Sequence, residues 1–229
     1  MSALRTTLRP ALTPALGSAR RGVSRYFTTF DAVAQSYVQL NSIVSLTGDF
    51  SIQVDVSVPD VSAISIAAMI LGNSSGTANA MWVTSAGNVV IRDSEGTTRT
   101  SEPAITSGKL HRITYVKTAG NIVGFVDGVE VYSSAPFASF IFNQIGVRQD
   151  TSFNFNGIIA NVKIEDNDTT VLDMPIDKNY TPTNNTVIDL ASGNNGTFVN
   201  IAAGRSKYYQ HRADGNFVDL QGNVLEVAY

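Results

Sequence analysis

The chain has 229 residues with 16 Lys and Arg, 19 Asp and Glu, two His, one Trp and no Cys. A chain of this length buries one sizeable core, and the lack of Cys excludes a disulfide scaffold and any Cys-ligated zinc or iron–sulfur centre. The net charge of −3 divides unevenly: residues 1–28 hold Arg5, Arg9, Arg20, Arg21 and Arg25 and no acid, which leaves 11 basic against 19 acidic side chains, a charge of −8, on the rest. An acidic body repels phosphate, so nucleic acid is not expected as a partner. No apolar run approaches the about 20 residues of a membrane helix, so no membrane partner is expected either.

The first segment, 1–28, reads as a basic extended arm. Pro10 and Pro14 break any helix, and PAL at 10 recurs at 14. The acid-free, Arg-rich composition is compatible with organelle import, with a plain disordered terminus, or with an arm that docks on an acidic surface.

From Phe50 the chain reads as β structure. Phe50, Ile52, Val54, Val56 and Val58 recur at every second position, with Ser51, Gln53, Asp55 and Ser57 between them, which predicts a strand with one wet face. Pro59-Asp60 ends it. Apolar runs follow from Ile64 to Leu71 and in AMWVTS at 80, NVVIRD at 88, LHRITYVK at 110, NIVGFVDG at 121, SFIFNQIGVR at 139 and IIANVKIED at 158. Turn residues punctuate them at intervals of about ten residues, as in a sandwich or jelly roll. In Met81-Trp82-Val83 alternation buries either Trp82 or its two neighbours. Asp127-Gly128 predicts a type I′ hairpin turn, which completes a three-stranded meander over 110–132.

Within that meander, LHRITYV followed by NIVGFVDGVEV resembles the signature of laminin G-like and concanavalin A-like jelly rolls. FNGIIANVKIED resembles the closing strand of that family, with Phe155, Gly157, Ile159, Val162 and Ile164 matching. Ala160-Asn161 stands where the family has an acid. The resemblance covers roughly residues 30–175 and implies two stacked antiparallel sheets. The expected fold is therefore all-β, a concanavalin A-like sandwich over 29–175, with the arm before it and a β-rich C-terminal extension over 176–229.

A narrower resemblance concerns VIDLASGNNGTFVN at 187–200, LDMPIDKNY at 172–180 and LRPALTPAL at 8–16. These stretches are similar to motifs of tailed-bacteriophage structural proteins. They imply a non-enzymatic component of a virion, a capsid decoration or tail protein, held to other virion proteins by arm and extension. A homo-oligomer is the expected state, with a trimer as first candidate. The Gly and Asn of SGNNGT also have a purely local reading, as turn residues at positive φ. The alternative function is a free-standing carbohydrate-binding module.

Chemistry is sparse. Glycosidases need two carboxyls flanking the scissile bond, and Glu165, Asp166 and Asp168 sit in a segment that reads as a turn. No nucleophile elbow precedes His111 or His211. Asp166, Asn167, Asp168 and residues 184–195 supply oxygens for calcium but no spaced ligand loop. No catalytic residue, metal or cofactor is expected. The candidate ligand-binding residues are Trp82 and the strand-end groups Arg92, Arg148, Gln149 and Asp150, with a surface glycan as ligand.

Overall fold

The computed structural model describes residues 25–149 and 153–229. Its strands are β1 (Arg25–Phe30), β2 (Tyr37–Leu46), β3 (Phe50–Ser57), β4 (Ala68–Asn73), β5 (Gly76–Val83) and β6 (Asn88–Arg92). Next come β7 (Thr98–Pro103), β8 (Lys109–Thr118), β9 (Asn121–Val126), β10 (Val129–Pro136), β11 (Phe140–Ile145) and β12 (Gly157–Asp166). The chain continues through β13 (Thr169–Pro175), β14 (Thr186–Val187), β15 (Gly196–Val199), β16 (Ser206–His211), β17 (Phe217–Asp219) and β18 (Val224–Val227). A single 3-10 turn, Val61–Ala63, is capped by Asp60, whose carboxylate accepts from the Ser62 N–H.

The strands form two sheets. The eight-stranded sheet runs β14-β15-β2-β11-β4-β5-β6-β7, and the ten-stranded sheet contains β10-β9-β8 and β3-β12-β13 with β8 paired to β3. The main core lies between them. Phe30, Leu46, Ile52, Val54, Tyr115, Phe140, Phe142 and Ile164 are all buried in it. Each is an inward position of the two-residue alternation, so the hydrophobic pattern sets which face each strand turns to the core. The all-β sandwich expected from the sequence is the observed fold.

The ten-stranded sheet has a second feature. β8, β3, β12, β1, β16, β17 and β18 pair in succession, and β18 returns to β8 in parallel, so that these strands close a ring. The ring holds its own apolar cluster of Phe27, Leu110, Ile158, Ala160, Tyr209, Phe217 and Leu225. Phe27 meets Tyr209 and Phe217 edge to face, with centroids at 5.2 and 5.0 Å. Such pairs add about 0.5–1.5 kcal/mol each beyond area burial.

Three sequence expectations change here. Arg25 to Thr28, assigned to the arm, belong to β1, because Phe27 is an inward position of the ring. The run from Ile64 to Leu71 is a strand only from Ala68; Ile66 is 68% exposed in the connection after the 3-10 turn. The wet face of β3 is wet only at one end: Asp55 and Ser57 are buried because the ring covers them.

Two backbone positions were legible. Asp127 and Gly128 both have positive φ, 53° and 82°, as a type I′ turn requires. At Gly157, φ is 139° and an added Cβ would lie 2.2 Å from the Ser57 carbonyl oxygen, so β12 approaches β3 only with glycine there.

Candidate functional site

The two sheets differ in what lies outside them. On the ten-stranded sheet the ring covers the outer face of β3, β8 and β12. There Arg112 makes a two-pronged ion pair with Asp55, Nε to Oδ1 at 2.8 Å and Nη2 to Oδ2 at 3.0 Å. The Tyr229 hydroxyl donates to Asp55 Oδ2 at 3.2 Å, and its ring lies 4.2 Å from the guanidinium carbon. Burial alone would lower the Arg112 pKa; the Asp55 carboxylate more than reverses this and raises it. Burial, reinforced by Asp55, pushes the Tyr229 hydroxyl up to about 12. These groups are spent on each other and offer nothing to a ligand.

The outer face of the eight-stranded sheet carries Trp82. Its neighbours Met81 and Val83 point into the core, so Trp82 points out and is half-buried. Cross-strand register sets Met69, Trp82, Val90 and Thr100 in one row over β4 to β7, and Ala80, Arg92 and Thr98 in the next. Met69, Ala80 and Val90 are buried and outside the main core cluster, so they form an apolar floor around the indole. The Arg92 guanidinium carbon stands 5.4 Å from the Trp82 ring centre, a cation–π contact worth about 0.5–1 kcal/mol at an exposed site. Arg92 Nε donates to Thr98 Oγ1 at 3.1 Å and a terminal nitrogen lies 3.5 Å from the Thr77 carbonyl oxygen. Exposed Thr98 and Thr100 add hydroxyls to the same face. An aromatic plate, a cation and hydroxyls on a rigid sheet are the groups that hold an amphipathic polar ligand.

Arg148 lies on the same sheet, past the end of β11, and β4 separates that strand from β5. The segment after β11 packs so closely on Gly72 that an added Cβ would lie 2.2 Å from the Val147 carbonyl oxygen. Arg148 stacks on Phe153 at 4.2 Å, and Gln149 is exposed. Asp150 and the arm residues Arg5, Arg9, Arg20 and Arg21 lie outside the described residues. Arg25 stacks on Phe27 and Phe217 at 4.7 and 5.1 Å, within the fold. Between Trp82 and the far edge an amide chain crosses the face: Gln144 donates to Gln39 at 3.2 Å, and Gln39 to the Asn143 carbonyl at 3.0 Å.

The acids near β12 do not form a catalytic pair. Glu165 is tied to Lys163 and accepts from Ser51 at 3.3 Å. Asn167 and Asp168 have positive φ, 47° and 61°, in the hairpin between β12 and β13. Among the described residues no three His, Asp or Glu side chains are placed to hold a metal ion, and no helix is long and apolar enough to cross a membrane.

One constellation escaped the sequence reading. His111 Nε2 accepts the Thr106 N–H at 3.0 Å and lies 2.9 Å from Thr106 Oγ1, while Nδ1 is 2.7 Å from Asp127 Oδ2. A hydroxyl, an imidazole and a carboxylate in a row have the shape of a nucleophilic triad. Because a backbone N–H uses the Nε2 lone pair, the proton sits on Nδ1 and the ring pins the loop before β8 instead of serving as a base. His211, in turn, packs on Phe217 at 5.1 Å.

The SGNNGT segment also has a local account. Asp189 accepts from the N–H groups of Asp173, Ala191, Ser192 and Asn194 at 2.8–3.0 Å. Burial opposes these bonds, yet together they hold the Asp189 carboxyl below its ordinary pKa. Asn194 then ties the loop to Ser42 of β2, Nδ2 donating to the carbonyl at 3.0 Å.

Comparison with known proteins places this architecture. Residues 32–173 match the laminin G-type family described as the concanavalin A-like lectin/glucanases superfamily. No curated protein matches the chain. A candidate carbohydrate binding protein from Bacteroides ovatus superposes with a TM-score of 0.58 at 11% identity, over 76% of this chain and 58% of that one. This chain thus spans little more than half of that protein. The heptameric SAP-like pentraxin of Limulus polyphemus aligns at a TM-score of 0.45 and 10% identity, over 61% of this chain and 75% of that one. Domains LG4-5 of the mouse laminin alpha1 chain align at 0.40 and 20% identity, over 62% and 41% respectively. At these identities the likeness is one of fold. With most of its sandwich inside the matched range, the chain belongs to the concanavalin A-like lectin/glucanases superfamily.

Proposed function

We propose that this chain is a non-catalytic carbohydrate-binding domain and that its glycan site is the outer face of the eight-stranded sheet. The observation that carries this reading is the position of the only Trp in the sequence. Trp82 stands outward on a buried apolar floor, beside Arg92, on the sheet face that the C-terminal ring does not cover. Sugar rings present C–H faces that stack on an indole, while their hydroxyls take the polar groups around it. The carbohydrate-binding description of the Bacteroides ovatus protein agrees with this assignment. The occupied state of Glu165 and the turn position of Asp168 support a domain that binds without cleaving.

The test is a glycan array probed with the intact chain, followed by Trp82→Ala on every hit. Binding that falls at least about tenfold, with the variant still cooperatively folded, is the expected result. Array binding that survives Trp82→Ala would move the site elsewhere. Attachment to a phage particle rests on the sequence motifs alone, and the SGNNGT loop is accounted for by its folding around Asp189. Copy number in purified particles tests that reading independently.

A further inference from the structure

We infer that the glycan bound at Trp82 is acidic, and that Arg92 is the residue that recognises its carboxylate. This rests on the glycan-binding reading above and adds the ligand's charge.

Arg99, Arg112, Arg205 and Arg212 each pair with a carboxylate, namely Asp93, Asp55, Asp31 and Asp214. Among the described residues Arg92 makes no ion pair, and unlike Arg25, which is stacked inside the fold, it stands on the outer sheet face, although the sequence beyond residue 28 holds 19 acids against 11 bases. Neither of the two acids near it in sequence pairs with it. Asp93 is buried against Arg99 and accepts the Glu95 and Thr97 N–H groups at 3.1 and 2.8 Å. Glu95 lies exposed in the turn between β6 and β7, with no ion pair among the described residues.

The geometry fixes how the charge is offered. Thr98 holds Nε, and Trp82 supports the planar group from one side. One terminal nitrogen has a contact at the 3.5 Å limit, with Thr77; the other has no hydrogen-bond partner among the described residues. The guanidinium is therefore oriented before a ligand arrives, with donors to spare. A neutral sugar stacked on Trp82 would strip water from Arg92 and return only hydroxyl contacts. A carboxylate returns charge-assisted bonds that suit the guanidinium fork. The threonine row supplies hydroxyls for the rest of the ring.

The experiment is calorimetric titration of the intact chain with oligogalacturonate and oligomannuronate, neutral cello- and xylo-oligosaccharides of the same length, and a sulfated heparin oligosaccharide. Each is run at low and high salt, for the parent chain, Arg92→Gln and Arg92→Lys. A carboxylated probe is expected to bind at least about tenfold tighter than its neutral counterpart. Salt weakens that preference, Arg92→Gln abolishes it and Arg92→Lys restores part of it, all at an unchanged melting temperature. Tighter binding of neutral probes, or a preference that survives Arg92→Gln, overturns the inference while a Trp82-dependent site still stands. A preference for sulfate over carboxylate overturns it as well. Failure of every probe and of the array removes the glycan-binding reading itself.

Discussion

The outer faces of the two sheets begin from the same sequence pattern and end in opposite states. β3 alternates apolar residues with Ser51, Gln53, Asp55 and Ser57, while β5 and β6 alternate core residues with Ala80, Trp82, Val90 and Arg92. On the polar-looking face Asp55 is only 3% exposed, because β16 to β18 fold back over it. On the apolar-looking face no strand of the ring lies over Trp82 and Arg92, which stay half-buried. The chain thus covers a face that carries charge and exposes one that carries an aromatic. Burial of Asp55 is tolerable because Arg112 and Tyr229 satisfy it. The spare donors of Arg92 beside Trp82 have no such partner among the described residues, which is why function is assigned there.

That contrast can be broken most severely at Asp55. Asp55→Ala leaves the Arg112 charge buried without its partner, and the expected cost is about 3–5 kcal/mol, read from urea denaturation. A smaller effect is expected at His111, where substitution by Ala orphans the Thr106 N–H and Oδ2 of Asp127, whose Oδ1 keeps the Arg112 N–H, and costs about 1–3 kcal/mol. Hydrogen exchange should then show faster exchange at Thr106 before any change in β16 to β18.

Tyr229 sharpens the comparison through pH. Its hydroxyl is held protonated, with a pKa near 12 in the fold, against about 10 for a free tyrosine. The stability this contributes is whole below pH of about 10 and is lost as the pH rises through the folded value. Denaturation midpoints of the parent chain should therefore fall over that window, and those of Tyr229→Phe should fall less. A parallel decline in both would detach Tyr229 from the Asp55 pair. The smallest expected effect on folding is at Trp82. Trp82→Ala uncovers part of the apolar floor formed by Met69 and Val90 and should cost about 1 kcal/mol, less than the covered-face variants, while removing glycan binding.

Much of the sandwich was legible. The alternation in Phe50–Ser57, the meander around Asp127-Gly128 and the matches at Phe155 and Gly157 all reappear as paired strands. Two early strands were not seen. β2 hides its alternation because Asn41, Ser42 and Ile43 interrupt it: Val44 pairs with Phe142 and Gln39 with Gln144, with a register shift between. β1 lies in a segment whose Arg content reads as a tail, and Phe27 declares itself only through Tyr209 and Phe217, far along the chain. At the candidate site, the alternation of Met81-Trp82-Val83 left Trp82 with two possible faces. The stack of Arg92 on Trp82 depends on a one-residue register between β5 and β6, which no spacing within either strand encodes.

The sequence by itself determined what is local: strand periods of two, the turns that need positive φ at Asp127 and Gly128, and the capping of loops by Asp93, Asp189 and Asp219. These depend on sterics and hydrogen bonds within a few residues. Only the tertiary structure decided which sheet face is covered. That outcome requires β18 to return in parallel beside β8 and close the ring over Asp55, a pairing across more than a hundred residues that is set by where apolar clusters find each other and not by any neighbouring residue.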